Sequence, residues 1–258
     1  MMNPVLDEST RVYLRRKEYA FLHVGYMGVL ALVTAAAWPA SGYMSFFRLD
    51  SVPAVFDVVA IIELLSLSAI SLFAGQDRLA ASEIIRYSEW LERTRLPVTT
   101  LVAGKIVSAL LHTVILVVIS TPFVIVAAGP AGIPVRAALS SQWIVFMTAL
   151  LCRTVGLLLS HAGEERYVVR VIGSWLFLAL LYLVTIGADS PLNPLIALVR
   201  QYGESSPLVT SLDPLPIRNH PALLPTVYLL VGIAAATAAF AVTLYRHRSR
   251  AIRRNDGA

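Results

Sequence analysis

Residues 101–128 read LVAGKIVSALLHTVILVVISTPFVIVAA, an apolar run whose one charge, Lys105, stands near its start. The hydrocarbon core of a bilayer is about 30 Å thick and takes about 20 apolar residues in a helix. A helix of a soluble protein would interrupt such a run with a polar face at every turn. The run therefore predicts a membrane-spanning helix. Pro122, near its end, is compatible with that reading because neighbouring helices can satisfy the carbonyl it frees.

Outward from this block, the same criterion marks Phe21–Trp38 and Ala54–Ala74 before it, and Ala137–Ser160, Val171–Ala188 and Leu223–Tyr245 after it. The fold class expected is all-α: a polytopic membrane protein of six transmembrane helices forming one transmembrane domain over residues 1–258. Composition agrees, since 57% of residues are hydrophobic and 14% charged, against about 25% charged in soluble domains. The net charge of +5 does not point to nucleic acid, because the basic residues flank apolar blocks rather than gathering on a polar domain. The single cysteine, Cys152, lies inside a block, which excludes an internal disulfide. The first block follows a polar, charged segment and ends at Trp38-Pro39 without a small-x-small site, so it is expected to be a retained span.

The segments between blocks have their own character. In Met1 to Ala20, Val12, Leu14 and Tyr19 alternate with Arg11, Arg15, Arg16 and Lys17, as in an amphipathic interfacial helix; a solvated basic arm is the alternative. Tyr43, Phe46 and Phe47 suit an interfacial aromatic belt. From Gln76 to Thr100 charged and apolar residues alternate, predicting an amphipathic helix that ends before Pro97. Gly129 to Pro134 is a turn. Asp189 to Pro221 carries Pro191, Pro194, Pro207, Pro214, Pro216 and Pro221, which exclude a long helix. Its Leu195–Val199 piece is too short to span and suits a re-entrant or outer hairpin between spans five and six.

Basic residues near spans are retained on the cytoplasmic side. With both termini cytoplasmic, that side holds fifteen of the Lys and Arg residues, including Arg78, Arg86, Arg93, Arg95, Arg166, Arg170 and the closing Arg246, Arg248, Arg250, Arg253 and Arg254. The other side holds four: Arg48, Arg136, Arg200 and Arg218. A cytoplasmic or inner cell membrane with both ends inside is the expected location.

Catalytic patterns are lacking. A phosphate loop needs a glycine five residues before its Gly-Lys pair, and Thr99 stands there before Gly104-Lys105. The histidines, His23, His112, His161, His220 and His247, are scattered singly, unlike zinc-protease ligands. Gly173-Ser174-Trp175 is a fragment of an intramembrane serine-protease pattern, but Gly-Ser is common wherever membrane helices pack closely.

Ionisable residues inside spans are costly and mark functional or structural pairs. Glu63, in the middle of span two, either lines a substrate or proton path with His112 or Arg153 as partner, or fixes helix register. Arg153 either joins such a pair or snorkels to the headgroups. Asp57 is close enough to an end to reach headgroups.

The sequence from Glu83 through Leu96-Pro97-Val98 to Gly104-Lys105 resembles the loop between spans two and three of permease subunits of type-2 ABC exporters. The whole layout is similar to that family as well, although the interval from Pro97 to Lys105 is shorter than its commonest spacing. The resemblance implies a permease that forms the translocation path, with ATP and Mg on two separate ATPase subunits, a second permease copy or a related one, and no cofactor or catalytic residue in this chain. It further implies that Glu83, Ile84, Glu89, Trp90, Leu91, Glu92, Arg93, Arg95 and Pro97 form the ATPase-coupling helix, and Pro191, Asn193 and Pro194 an outer gate. A helix lying flat in the headgroups and a plain outer loop are the respective alternatives; acidic Glu83, Glu89 and Glu92 favour a protein partner over anionic lipid. An ion-coupled secondary carrier using Glu63, or a non-transporting assembly factor, are the alternative functions.

Overall fold

The computed structural model describes residues 5–7, 17–38, 53–75, 97–162, 167–184, 193–200 and 223–255. These are helical, with no strand among the described residues. The main helices are α1 (Lys17–Ala36), α2 (Pro53–Gly75), α3 (Val98–Ala128), α4 (Val135–Ala162), α5 (Tyr167–Ala179), α6 (Pro194–Arg200) and α7 (Leu223–Asn255). Five of them, α1, α2, α3, α4 and α7, are long and apolar enough to cross a bilayer, and the chain is a multi-pass membrane protein. The expected fifth span is described from Tyr167, as α5, through a π-helical turn, Leu180–Val184; its described apolar stretch is Val168–Leu183, and residues 185–188 of the expected block lie outside the described residues.

Two helices form the centre. In α2 and α4, 61% of the apolar window is buried, against 22% in α1 and 17% in α7. The core joins Leu30 of α1, Phe56, Val59, Leu64 and Leu67 of α2, Leu116 and Val124 of α3, and Val145 and Ala149 of α4. Lipid is as apolar as leucine, so such helices are held by close packing and buried polar contacts rather than by release of water. Gly232 of α7 illustrates the first: a Cβ there would come 3.1 Å from Leu151 of α4. Hydroxyls in the spans turn back onto their own helices, as in Thr113 Oγ1 to the Ala109 carbonyl (2.9 Å) and Thr148 Oγ1 to the Ile144 carbonyl (2.8 Å). Near Pro122, Ser120 and Thr121 both donate to the Val117 carbonyl, at 2.9 and 2.7 Å, so hydroxyls of the same turn supply local polar contacts beside the proline.

The turn expected between α3 and α4 closes α3 with a Schellman motif. The Ile133 amide donates to the Ala128 carbonyl (3.1 Å), the Gly132 amide donates to the Gly129 carbonyl (3.1 Å), and Gly132 has φ 67°. Ile133 is buried behind it and Pro134 then starts the next helix, the usual companions of this cap. A side chain at a left-handed position costs roughly 1–2 kcal/mol. Gly132→Ala is therefore expected to lower the stability of the purified protein by about that amount in an unfolding titration, with Gly28→Ala, where a Cβ meets nothing within 4 Å, as the control of small effect.

Several expectations are corrected by the packing. Lys17 and Tyr19 belong to α1 rather than to a separate surface helix, and Tyr19 is fully enclosed. Asp57 is buried in the bundle and does not reach toward headgroups. Arg153 is 1% exposed, so its guanidinium is enclosed by protein and does not snorkel. The last helix runs on to Asn255, so the closing Arg246, Arg248, Arg250, Arg253 and Arg254 stand on helix. The aromatic belt at residues 43–47, the basic residues Arg11, Arg15 and Arg16, and Glu83 to Arg95 of the coupling helix lie outside the described residues.

Candidate functional site

Four helices meet at Glu63. It stands ten residues from one end of α2 and twelve from the other, which at 1.5 Å per residue puts it near the middle of a bilayer. Its side chain is completely buried, and Gln142 Nε2 of α4 donates to Glu63 Oε2 at 2.7 Å. Ser120 of α3 and Tyr26 of α1 stand beside the carboxyl. The Ser120 hydroxyl donates to the Val117 carbonyl, and the buried Tyr26 hydroxyl has no partner within hydrogen-bonding distance among the described residues. Glu63 Oε1 and Gln142 Oε1 are left buried with no hydrogen-bond partner among the described residues.

Neither of the partners expected for Glu63 is the one found. His112 lies lower on α3, in an aromatic group with Tyr19 and His23 of α1: its ring centroid is 5.6 Å from Tyr19, edge-on, and 5.5 Å from His23. Arg153 lies on α4 eleven residues beyond Gln142, about 16 Å along the helix. The polar side chain found on the Glu63 carboxyl is thus Gln142.

A third polar group ties α6 into the bundle. Asn193 is buried, its Oδ1 accepts from the amides of Leu195 (2.8 Å) and Ile196 (3.4 Å), and its Nδ2 donates to the Tyr182 carbonyl at 2.9 Å. Asparagine ahead of proline is a favoured helix start, because it satisfies the first amides and the proline has no amide to satisfy. Tyr182 in turn shares a hydrogen bond with Ser68 of α2 (2.5 Å). The Tyr182 carbonyl belongs to the π-helical turn, where backbone bonding is altered, so Asn193 supplies a partner there. Asn193 and Pro194, expected at an outer gate, are buried against α2 and α4 together with Ile196, Ala197 and Leu198, so this piece is a packed helix and not an extended loop; Pro191 lies outside the described residues.

Gln142, Ser120, Tyr26, Ser68 and Tyr182 were not marked by the sequence. Gln142 had a signal: it is the one carboxamide inside an apolar block, and an amide in lipid calls for a partner as a carboxyl does. The Ser174 hydroxyl is committed to the Arg170 carbonyl at 2.6 Å, and Gly173 sits against Leu159, which fits close helix packing. No group of three or more metal-ligating side chains occurs among the described residues. No protein-family model matches the chain and no curated protein matches it, so the functional reading rests on the chain's own residues.

Proposed function

We propose that this protein is the permease subunit of an ATP-driven exporter of the type-2 ABC class. The observation that carries the reading is the junction at Pro97. A charge-rich, amphipathic stretch ends at Leu96, Pro97 is extended (φ −64°, ψ 145°), and a 31-residue apolar helix starts at Val98 with Gly104-Lys105 in its second turn. A chain without a phosphate loop must receive work through a cytoplasmic element. Residues 76–96 offer apolar Ile84, Trp90 and Leu91 for a partner's groove, and Glu89, Glu92, Arg93 and Arg95 to set its docking orientation.

The reading includes six crossings, with α5 and its π-turn as the fifth. Tyr167 to Val184 is 18 residues, about 27 Å of helix, close to the hydrocarbon thickness. Both termini and residues 76–100 then face the cytoplasm. Two ATPase subunits holding ATP and Mg, and a second permease of the same or a related kind, complete the exporter, and the Asn193-Pro194 helix stands where the path opens outward.

Capture of the partner ATPase tests this. The full chain, purified from its native membrane with mild detergent, should bring down a nucleotide-binding subunit. Buried aromatic anchors contribute about 2 kcal/mol or more each to an interface, so Trp90→Ala with Leu91→Ala should weaken capture by at least about tenfold. Equal capture by the double variant, or no ATPase with the wild type, contradicts the proposal.

A further inference from the structure

The two oxygens left without partners at the α2–α4 contact belong to the same two side chains that already share one hydrogen bond. Glu63 Oε2 accepts from Gln142 Nε2, while Glu63 Oε1 and Gln142 Oε1 are both buried acceptors with no donor. A carboxylic acid and a carboxamide can form a closed ring of two hydrogen bonds: the amide N–H to one carboxyl oxygen, and the carboxyl O–H to the amide oxygen. One bond of that ring is present, and a single proton on Glu63 Oε1 would satisfy both remaining acceptors. We infer that Glu63 is a proton-binding site, holding its proton toward the amide oxygen of Gln142 at the meeting point of four membrane helices.

The surroundings leave few alternatives. The described groups that act on the carboxyl are Gln142 from α4, Ser120 from α3 and Tyr26 from α1. Among the described residues Gln142 is the donor within hydrogen-bonding distance of it, and the Ser120 hydroxyl beside it has the Val117 carbonyl as its acceptor at 2.9 Å. Tyr26 is the one titratable side chain facing Glu63 from another helix. Asp57, on α2 itself, stands six residues away, about 9 Å along the helix. A bare carboxylate here would leave a charge in a fully buried, lipid-flanked place with one hydrogen bond, which is strongly unfavourable. A proton removes the charge and completes the pairing in one step. The site depends on α2 and α4 staying in register, since each helix supplies one side chain of the pair. It stands independently of the exporter reading.

Infrared spectroscopy of the full chain in liposomes, with isotope-labelled glutamate, reads the site directly. At neutral pH the wild type should show the C=O stretch of one protonated carboxyl that shifts with the label and is lost in Glu63→Gln. Glu63→Gln keeps a reciprocal amide–amide pair and so should fold; were it to fail, mass-spectrometric mapping of a carbodiimide adduct in the wild type serves instead, because that reagent attacks protonated carboxyls in apolar surroundings, and the adduct should fall on Glu63. Carboxylate stretches in place of the protonated band, with or without dependence on sodium ions, or an adduct that avoids Glu63, would overturn the inference.

Discussion

Asn193→Ala is expected to destabilise the bundle by about 2–4 kcal/mol, the sum of a lost helix cap and a buried carbonyl left unsatisfied. One side chain performs both tasks: its oxygen accepts from the amides at the start of α6, and its nitrogen donates to the Tyr182 carbonyl. The loss should appear as a lower midpoint in an unfolding titration in mixed micelles. Asn193→Ser separates the two tasks, since its shorter, uncharged side chain keeps a capping oxygen and withdraws the donor from the Tyr182 carbonyl; its effect should be about half as large. If Asn193→Ala and wild type unfold together, α6 is not held to the bundle by this residue.

The second large effect concerns Gln142. Gln142→Leu removes the one donor to Glu63 and leaves a carboxyl buried among apolar helices, with an expected loss of about 2–3 kcal/mol. Polar contacts between membrane helices average less than this, because the separated helices find other partners. Here Glu63 is fully buried, with no second donor among the described residues. The informative comparison is the double variant Glu63→Leu with Gln142→Leu, which buries no unsatisfied polar group. It should be more stable than Gln142→Leu alone, a non-additivity expected of side chains in contact. Additive losses would mean that the two side chains contribute separately.

Apolar blocks are legible because a membrane selects on length and hydropathy, properties that a sequence displays directly. Five of the six blocks correspond to helices long enough to cross, and the first helix begins at Lys17, four residues before the block expected for it. The block at Val171–Ala188 is helical as far as it is described, to Val184, but its π-turn was not legible, because such a turn changes the backbone without changing composition and nothing in Leu-Leu-Tyr-Leu-Val announces it. Partnerships were less legible than positions. The rule that a charge inside lipid needs a partner marked Glu63, but directed attention to His112 and Arg153 because they are ionisable. The structure answers with an uncharged amide. Rotation of α3 and α4 about their axes decides which polar residue faces Glu63, and in blocks that are apolar on every side the sequence carries no stripe from which to read that rotation. Asn193 was marked on the expectation of a gate, whereas its described contacts are those of a helix cap and a tether.

The exporter reading requires six crossings, with both ends and the 76–100 stretch on the cytoplasmic side. Sidedness of introduced cysteines tests it most directly. Cys152, the single native cysteine, is buried, and Cys152→Ala supplies the background; cysteines are then placed one at a time at Asn3, Ser88 and Asp256, and labelled in intact cells and in inverted vesicles with a reagent that cannot cross the membrane. The account predicts labelling of all three in inverted vesicles and of none in intact cells. Labelling at Asn3 and Asp256 from opposite sides would show an odd number of crossings, and would contradict the layout on which the exporter reading stands.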